Sequence, residues 1–308
     1  MSEFDEYSDK GLTGLANLGN TCFLNSCIQV LSHTYELNDF LKDESYKKKL
    51  SGHTNKEYIY DSCLLMQWDK LRKLMWSENC TISPGAFLNA IHVVAKKKEM
   101  DLFTGYSQND LPEFLLLIID CFHNALRREV NMEISGKIET ETDIMATKCF
   151  GKIKEMYSKE YSEILKIFFG IHVSKITNIK TKKVLNIIPE PYFMIDLPIP
   201  ANNKNPSLFE CFEEYCKPEI LDGENGLINE ETNEKEDVEK KIVFWNLPEI
   251  LVIDIKRFNL MGNKVKVPVN IPVNNVDFSK YIEGYDNNTF IYDLYGVCNH
   301  MGGTLGGH

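Results

Sequence analysis

The sequence lacks several features, and each absence excludes a class of protein. No apolar run approaches the ~18 residues of a transmembrane helix, and the first residues lack the basic and apolar regions of a signal peptide. Only 34 Lys and Arg stand against 45 Asp and Glu, a net charge of -11. This balance argues against a nucleic-acid or anionic-membrane binder. We therefore expect an intracellular protein, of the cytoplasm or nucleus, that binds neither nucleic acid nor a membrane.

The cysteines lack the spacing of a metal site or a disulfide framework. Nine cysteines are scattered over 308 residues without a CxxC pair. An odd number of cysteines in a long chain is typical of reduced thiols. Because 43% of the residues are hydrophobic, the chain can bury a sizeable core. A globular protein with a potentially reactive thiol is the simplest interpretation.

The start of the first predicted helix carries a candidate nucleophile. Either Asn20 or Thr21 can cap this helix, which places Cys22 in its first turn. Unpaired N–H groups and the positive end of the helix dipole lower the pKa of a thiol there. The preceding Asn17 and Gly19 belong to a tight turn that can present amides to a developing oxyanion. The alternative is a buried structural cysteine, which describes most free cysteines.

Further helices are predicted before residue 170. One begins after Asp110, which can act as the cap, with Pro112 in the first turn and Glu113 positioned for a capping box. The apolar run that follows predicts a deeply buried helix. A third helix, amphipathic, is predicted around residues 153–168.

From about residue 170 the pattern changes to strands, which indicates an α+β arrangement. β-branched and aromatic runs bounded by Pro, Gly and Asn predict strands at residues 184–188, 192–197, 242–245, 250–258 and 290–297. Residues 222–240 are dominated by Glu and Asp, so we expect a solvated loop or hairpin tip. The alternative for this segment is an acidic contact for a basic partner.

Four segments resemble the motifs of the ubiquitin-specific protease family of deubiquitinases, in that family's order. Residues 14–26 resemble its Cys box, and residues 108–114 resemble its Gln-x-Asp-x-x-Glu-Phe segment. Pro112 occupies a position where the family usually has another residue. Residues 255–258 read Ile-Lys-Arg-Phe and resemble its Leu-Lys-Arg-Phe strand, and residues 295–308 resemble its His box. Together these motifs span nearly the whole chain.

The resemblance implies a fold and a division of the chain. The fold is the papain-like cysteine protease fold of the ubiquitin-specific protease type, which is α+β with a helical thumb and β-rich palm and fingers. Residues 1–308 would form a single catalytic domain. We expect its parts to be the thumb at about 10–130, a charged helical insertion at 131–168, the fingers and part of the palm at 169–250, and the palm at 251–308.

The resemblance also implies roles for individual residues. Cys22 would be the nucleophile, His308 its base and Asn17 the side-chain donor to the oxyanion. The residues that would support the cleft and bind substrate are Gln108, Asp110, Gly306 and Gly307. The reaction would be hydrolysis of the bond after the C-terminal glycine of ubiquitin on protein conjugates. Without the resemblance, the glycine-rich tail is also typical of a frayed terminus.

The sequence departs from the family at the positions of a zinc site. Many members hold the fingers together with zinc on two CxxC pairs, but the approximately corresponding segments here are Asn178-x-x-Thr181 and Asn229-x-x-Thr232. Amides and hydroxyls are poor zinc ligands. We therefore expect no metal and no cofactor, with the fingers held by strand pairing and packing.

A second departure lies at the end of the printed sequence. In the family the palm continues past the His box with an aromatic-rich strand and an Asp or Asn that orients the imidazole, whereas this sequence stops at His308. We expect a chain cut short just after the His box, with a palm incomplete at its C-terminus and an exposed sheet edge. Losing the orienting carboxylate of a serine triad can cost ~10⁴ in turnover. A thiolate–imidazolium pair needs less help to ionise.

Three functions are left open by the sequence. The first is a cysteine-dependent deubiquitinase whose partners are ubiquitin and ubiquitin-conjugated proteins. The second is a catalytically impaired ubiquitin-binding platform, or pseudo-deubiquitinase. The third is an unrelated thiol hydrolase or a structural protein, which the four ordered motifs disfavour. Neither the linkage preference nor the oligomeric state can be read from the sequence.

Overall fold

The computed structural model describes residues 7–105, 107–228, 234–259, 261–285, 290–303 and 306–308. The helices within them are α1 (Cys22–Ser32), α2 (Tyr35–Lys42), α3 (Ile59–Met75), α4 (Gly85–Lys97), α5 (Leu111–Leu126), α6 (Glu141–Glu160), α7 (Glu163–Phe168) and α8 (Leu208–Tyr215). The strands are β1 (Gly14–Leu15), β2 (Thr81–Ile82), β3 (Gly170–Asn178), β4 (Val184–Tyr192), β5 (Met194–Leu197), β6 (Glu219–Leu221), β7 (Leu227–Ile228), β8 (Lys235–Glu236), β9 (Val238–Asn246), β10 (Val252–Ile255), β11 (Val276–Asp277), β12 (Ile291–Tyr292), β13 (Gly302–Gly303) and β14 (Gly306–Gly307). None of the described helices is long and apolar enough to cross a bilayer.

The chain forms two compact units. The first contains the residues up to Glu129 together with Glu160–Ile167 and Tyr295–His308, and the second contains Val130–Lys159 and Phe168–Leu294. The first unit is mainly helical, whereas most strands belong to the second. The division into thumb, insertion, fingers and palm stays a prediction.

The core of the first unit lies between helices. α3 packs against α4 and α5, and α1 packs against α5. The fully buried indole of Trp68 on α3 lies 5.7 Å from the ring of Phe87 on α4 and 6.0 Å from that of Phe122 on α5. Burial of each such side chain contributes about 1.5–3 kcal/mol. This aromatic cluster holds the three helices that position the segments described below.

The prediction of a buried helix after Asp110 is confirmed, but its capping is not. α5 has Asp110 at its N-cap with extended backbone and Pro112 in its first turn, and Phe114, Ile118 and Phe122 on its inner face are fully buried. The side chain of Asp110 makes no capping hydrogen bond, and Glu113 is exposed. The predicted capping box is therefore wrong. The Asp110 carboxylate lies exposed in front of the helix.

The single helix predicted around residues 153–168 is two helices, α6 and α7. The chain leaves the helical conformation at Tyr161, whose backbone exchanges hydrogen bonds of 2.9 and 2.8 Å with that of Arg128. Arg128 also donates two hydrogen bonds, of 2.9 and 2.7 Å, to the carboxylate of Glu163. These contacts with a remote segment compete with helix continuation, and a local apolar pattern does not reveal them.

The second unit is built on an antiparallel sheet with the strand order β4-β3-β9-β6. Successive side chains of a strand point to opposite faces, and both faces of this sheet are covered. One face packs against α6 through a cluster of Met145, Ala146, Cys149, Ile171, Val173, Val243 and Trp245. On the other face, Tyr192 and Phe244 join a larger core with Phe212 of α8.

The predicted strands are partly confirmed. The strand expected at 184–188 extends to Tyr192, and the strand expected at 242–245 begins at Val238. The run 192–197 is divided, because Tyr192 ends β4 while β5 pairs in parallel with β10 in a separate sheet. The strands expected at 250–258 and 290–297 shorten to Val252–Ile255 and Ile291–Tyr292. The central strand β3 was not among those predicted.

The acidic segment 222–240 contains a hairpin and the start of a strand. β7 pairs antiparallel with β8, as expected for a hairpin, and the tip at 229–233 lies outside the described residues. The expectation that the whole segment avoids the core is wrong at its end. There, Val238 begins β9 and is fully buried. A role in binding a basic partner stays a prediction.

Candidate active site

The loop before α1 reverses the chain so that Cys22 becomes the first residue of the helix. Gly19 and Asn20 both adopt left-handed backbone conformations, with φ of 100° and 50°. Glycine and asparagine are the residues that tolerate this region most readily. The predicted position of Cys22 in the first turn is therefore confirmed, and its side chain is partly exposed.

The amide of Asn17 is held against the same end of the helix. Its Oδ1 accepts hydrogen bonds from the N–H of Gly19 at 3.0 Å, the N–H of Thr21 at 3.3 Å and the hydroxyl of Thr21 at 3.1 Å. Asn17 and Cys22, both predicted from the sequence, thus lie on one short loop and the helix that it begins. Neither Asn20 nor Thr21 caps α1 as predicted: Thr21 has the N-cap position, but its side chain makes no capping bond.

Two further polar residues of α1 fix the preceding strand to the helix. The amide of Asn25 donates to the carbonyl of Ala16 at 3.2 Å, and the amide of Gln29 donates to the carbonyl of Thr13 at 2.7 Å. Both were visible in the sequence, but neither was assigned a role. Their spacing of four residues on one helix face is the signal that could have identified them.

The C-terminal segment lies along α1, so that residues 295–298 contact residues 26–34. The hydroxyls of Tyr295 and Thr34 are hydrogen-bonded at 2.8 Å, and the Sγ of Cys298 lies 3.7 Å from the carbonyl oxygen of Ser26. Between these contacts, Gly296 packs on Val30 so closely that a Cβ would overlap its side chain. Ser26 and Val30 are four residues apart on α1, so they lie on one face of the helix, and Thr34 lies just beyond its end.

His308 follows a hairpin made of glycines. β13 pairs antiparallel with β14, and the backbones of Met301 and His308 exchange hydrogen bonds of 2.8 and 2.6 Å. The N–H of Gly307 also donates to the Oε1 of Gln108 at 3.3 Å. The predicted residues Gln108 and Gly307 are therefore in direct contact, and together they position the backbone next to His308.

A small pocket lies between the loop before α1 and the segment before α5. It is lined by Gly19, Asn20, Thr21, Phe23, Leu24, Leu88, Ile91, His92, Phe103, Gly105, Ser107, Asn109 and Phe114. Phe23 and Phe114 make an edge-to-face contact with ring centroids 5.2 Å apart. Because Gln108 and Asp110 flank the lining residue Asn109, the second predicted motif lies beside the first.

The structure leaves one predicted contact unformed. Among the described residues, no hydrogen bond joins the thiol of Cys22 to the imidazole of His308, although both side chains belong to the same compact unit. Catalytic hydrogen bonds are often long before substrate binds. Direct contact between the two groups stays a prediction, as do the roles of the other site residues.

The remaining thiols near the site are not suited to act as nucleophiles. Burial raises the pKa of the Cys27 thiol well above its usual range, and burial also raises the pKa of Cys298. A thiol must ionise to attack a carbonyl. These shifts leave Cys22 as the candidate nucleophile at this end of α1.

The finger positions expected to lack zinc ligands are only partly described. Asn178 is buried, and its Oδ1 accepts hydrogen bonds from the N–H groups of Lys180 and Thr181 at 2.9 and 2.8 Å. Its amide nitrogen donates to the carboxylate of Glu236 at 2.7 Å. Asn229 and Thr232 lie outside the described residues. No group of three or more His, Cys, Asp or Glu side chains is arranged to hold a metal within the described part of the chain.

Comparison with known proteins identifies the family to which this arrangement belongs. Residues 13–308 match the profile described as "Ubiquitin carboxyl-terminal hydrolase". The chain belongs to this family. The segments that resemble the Cys box and the His box of the family are therefore those that pack against each other along α1.

Curated relatives extend well beyond the region that they share with this chain. Ubiquitin carboxyl-terminal hydrolase 2 of Bos taurus is 31% identical over 311 residues, which cover 98% of this chain and 49% of the relative. Ubiquitin carboxyl-terminal hydrolase 21 of Bos taurus is 26% identical over 320 residues, which cover 97% of this chain and 55% of the relative. The chain thus spans about half the length of the curated relatives that it matches.

Solved structures establish the fold. The SAGA DUB module Ubp8/Sgf11/Sus1/Sgf73 bound to monoubiquitin contains a chain with a TM-score of 0.72 and 22% identity, and the match covers 97% of this chain and 60% of that one. The same module bound to ubiquitin aldehyde gives a TM-score of 0.71 at 22% identity, covering 97% and 61%. The predicted α+β papain-like fold of the ubiquitin-specific protease type is confirmed.

Proposed function

We propose that this chain is a cysteine-dependent deubiquitinase that hydrolyses the bond after the C-terminal glycine of ubiquitin on protein conjugates. The observation that carries the proposal is the packing of the C-terminal segment along α1 through Tyr295, Gly296 and Cys298. This packing brings the His308 hairpin and the Cys22 helix into one compact unit although the two residues lie near opposite ends of the sequence. The relatives and solved structures named above support the same reaction.

The proposed first half of the reaction forms a thioester. The thiolate of Cys22 attacks the carbonyl carbon of the terminal glycine, and the negative charge moves to the carbonyl oxygen. The amide NH₂ of Asn17 and the N–H groups at the start of α1 stabilise this oxyanion. The imidazolium of His308 then gives its proton to the leaving lysine amine as the C–N bond breaks.

The proposed second half releases ubiquitin. The imidazole of His308 takes a proton from a water molecule, which attacks the thioester carbon through a second oxyanion. The C–S bond breaks, and the products are the Cys22 thiolate and a ubiquitin with a free terminal carboxylate. The reaction requires no metal or cofactor.

Substrate binding is proposed for the segment before α5 and for the glycine hairpin. Ubiquitin ends in two glycines after a basic tail, so a close backbone approach and a negative charge are both suitable. Gly306 and Gly307 allow a close backbone approach because they lack a Cβ. The exposed carboxylate of Asp110 supplies the negative charge. We expect the protein to act in the cytoplasm or nucleus, where all nine cysteines can remain the free thiols that they are here.

Ubiquitin carrying a C-terminal electrophile tests the proposal. We expect this probe to form a covalent adduct with the unaltered chain and none with Cys22→Ala. Cleavage of lysine-linked ubiquitin chains should be lost in both Cys22→Ala and His308→Ala. Binding of ubiquitin without any adduct would instead support a non-catalytic ubiquitin-binding platform. Absence of binding would exclude both functions.

A further inference from the structure

The orientation of the Asn17 amide is decided by the donors around it. A carboxamide can be turned over at little intrinsic cost, so its hydrogen bonds determine which end faces outward. Two of the three hydrogen bonds to the Oδ1 of Asn17 come from the backbone N–H groups of Gly19 and Thr21, which can only donate. Turning the amide over would place the NH₂ against both donors. The NH₂ group therefore faces away from the loop, and Asn17 is exposed.

The third donor is the buried hydroxyl of Thr21, and its direction is also fixed. Only 3% of Thr21 is exposed, and its Oγ1 accepts a hydrogen bond of 3.0 Å from the N–H of Leu18. A hydroxyl has a single hydrogen to donate. Because the N–H of Leu18 cannot accept, that hydrogen points to the Oδ1 of Asn17 at 3.1 Å. The loop thus forms a directed relay from Leu18 through Thr21 to Asn17.

Because the Thr21 hydroxyl is bonded to Asn17, it does not cap α1. Thr21 has the N-cap position of α1, where a threonine side chain usually accepts a hydrogen bond from the first turn and so stabilises the helix. Here that bond is absent. The hydroxyl is directed to Asn17 instead, and the first N–H groups of α1 receive no side-chain cap from it. Both effects favour an oxyanion next to Cys22.

We propose that Thr21 is a positioning residue that holds the Asn17 amide with its NH₂ group toward the reacting carbonyl. The inference rests on the proposed deubiquitinase function and on the oxyanion role of Asn17. Thr21 itself does not touch the substrate. Its effect should therefore appear in the rate of the chemical step and not in ubiquitin binding.

The test compares Thr21→Val, which removes the hydroxyl at nearly constant shape, with Thr21→Ser, which keeps it. Loss of a whole oxyanion donor costs about 10²–10³ in kcat, so we expect Asn17→Ala to approach that loss. Thr21→Val should lower kcat by roughly tenfold to a hundredfold, a part of that cost, with KM nearly unchanged. Thr21→Ser should restore most of the rate. Binding of ubiquitin, measured with each variant in a Cys22→Ala background, should not change.

A double variant separates positioning from general destabilisation. If Thr21 acts through Asn17, Asn17→Ala/Thr21→Val should be no slower than Asn17→Ala alone. Thr13 is a matched control, because its buried hydroxyl lies within hydrogen-bond distance of the carbonyls of Met75 and Glu78 and donates its one hydrogen there, away from this loop. Thr13→Val should lower stability without lowering kcat per folded molecule. If Thr21→Val does not fold, Thr21→Ala carries the same expectations.

Each failure has its own signature. Unchanged kcat in Thr21→Val, or losses that multiply in the double variant, would overturn the positioning role alone. Full activity of Asn17→Ala would overturn the oxyanion role on which it depends. Turnover by Cys22→Ala would overturn the proposed function itself.

Discussion

At the scale of single residues, Gly307→Ala tests whether the backbone geometry of the glycine hairpin positions His308. A Cβ on Gly307 would overlap the imidazole of His300 and lie 2.7 Å from the carbonyl oxygen of Met301. The backbone of Met301 is paired with that of His308, so Gly307→Ala must shift the pair that holds the proposed base. Because a displacement of 1 Å can cost about 10²-fold in rate, we expect a loss of that order in the hydrolysis of a ubiquitin C-terminal amide.

The neighbouring glycine of the same hairpin supplies the control. A Cβ on Gly303 would meet no heavy atom of the described residues within 4 Å, its chain neighbours apart. Gly303→Ala should therefore keep activity close to that of the unaltered chain, and both variants should unfold at similar denaturant concentrations. Equal activity of the two variants would show that the hairpin does not position His308.

At the scale of elements, the end of β3 depends on one buried amide. The Oδ1 of Asn178 accepts hydrogen bonds from two N–H groups of the turn that follows β3. Its amide nitrogen donates a hydrogen bond to the carboxylate of Glu236 of β8. Asn178→Ala removes all three bonds and should destabilise this turn by about 1–3 kcal/mol. Asn178→Asp keeps the acceptor for the turn but opposes the carboxylate of Glu236. Hydrogen exchange of residues 178–183 should be faster in both variants, and exchange of residues 235–238 should be faster as well.

The same element tests the expectation that the fingers need no metal. If hydrogen bonds and strand pairing hold this turn, a zinc chelator should leave the exchange of residues 178–183 unchanged, and purified protein should contain substoichiometric zinc. Stoichiometric zinc in the purified protein, or much faster hydrogen exchange of residues 178–183 in the presence of the chelator, would contradict the expectation that the fingers need no metal.

The elements that sequence patterns predicted and those that they missed differ in where their stabilising contacts come from. α1 and α5 begin as predicted because the signals, a turn before Cys22 and a proline after Asp110, lie within a few residues of the helix start. β3 was not predicted because Lys175, directly after Ser174, breaks the alternation of apolar and polar residues that begins at Ile171. It forms because β4 and β9 pair with it on both sides, and His172 stacks on Tyr192 with ring centroids 5.5 Å apart.

At the scale of the whole molecule, one ionic cluster joins segments that are distant in sequence. Glu163 accepts hydrogen bonds from Arg128 and from Lys49, at 2.9 Å for the lysine. Burial opposes the charge of this carboxylate, but the hydrogen bonds from Arg128 and Lys49 outweigh it and lower the pKa of Glu163 to about 2. Its contribution to stability is thus fully present above the unfolded-state pKa of about 4.5. It is lost as the pH falls toward 2.

This linkage predicts how the stability of a variant depends on pH. Glu163→Gln should lower the free energy of unfolding near neutral pH by about 1.5–3 kcal/mol, the usual contribution of hydrogen bonds to a charged group. The difference from the unaltered chain should shrink between pH 4.5 and 2, measured by urea unfolding. Glu155 is the control, because it pairs with Lys152 and Lys159 on the exposed surface of α6. Such pairs contribute little, so Glu155→Gln should have a small effect at every pH.

The sequence by itself determined where the candidate chemical groups lie. Local patterns predict the thiol of Cys22 at a helix start, the amide of Asn17 in the preceding turn and the buried helix after Asp110. They suffice because residues close in sequence make the interactions that fix these positions. Only the tertiary structure decided that the segment 295–298 lies along α1 and that Gln108 holds Gly307. These contacts depend on the shapes and donors of surfaces that meet only after the chain has packed.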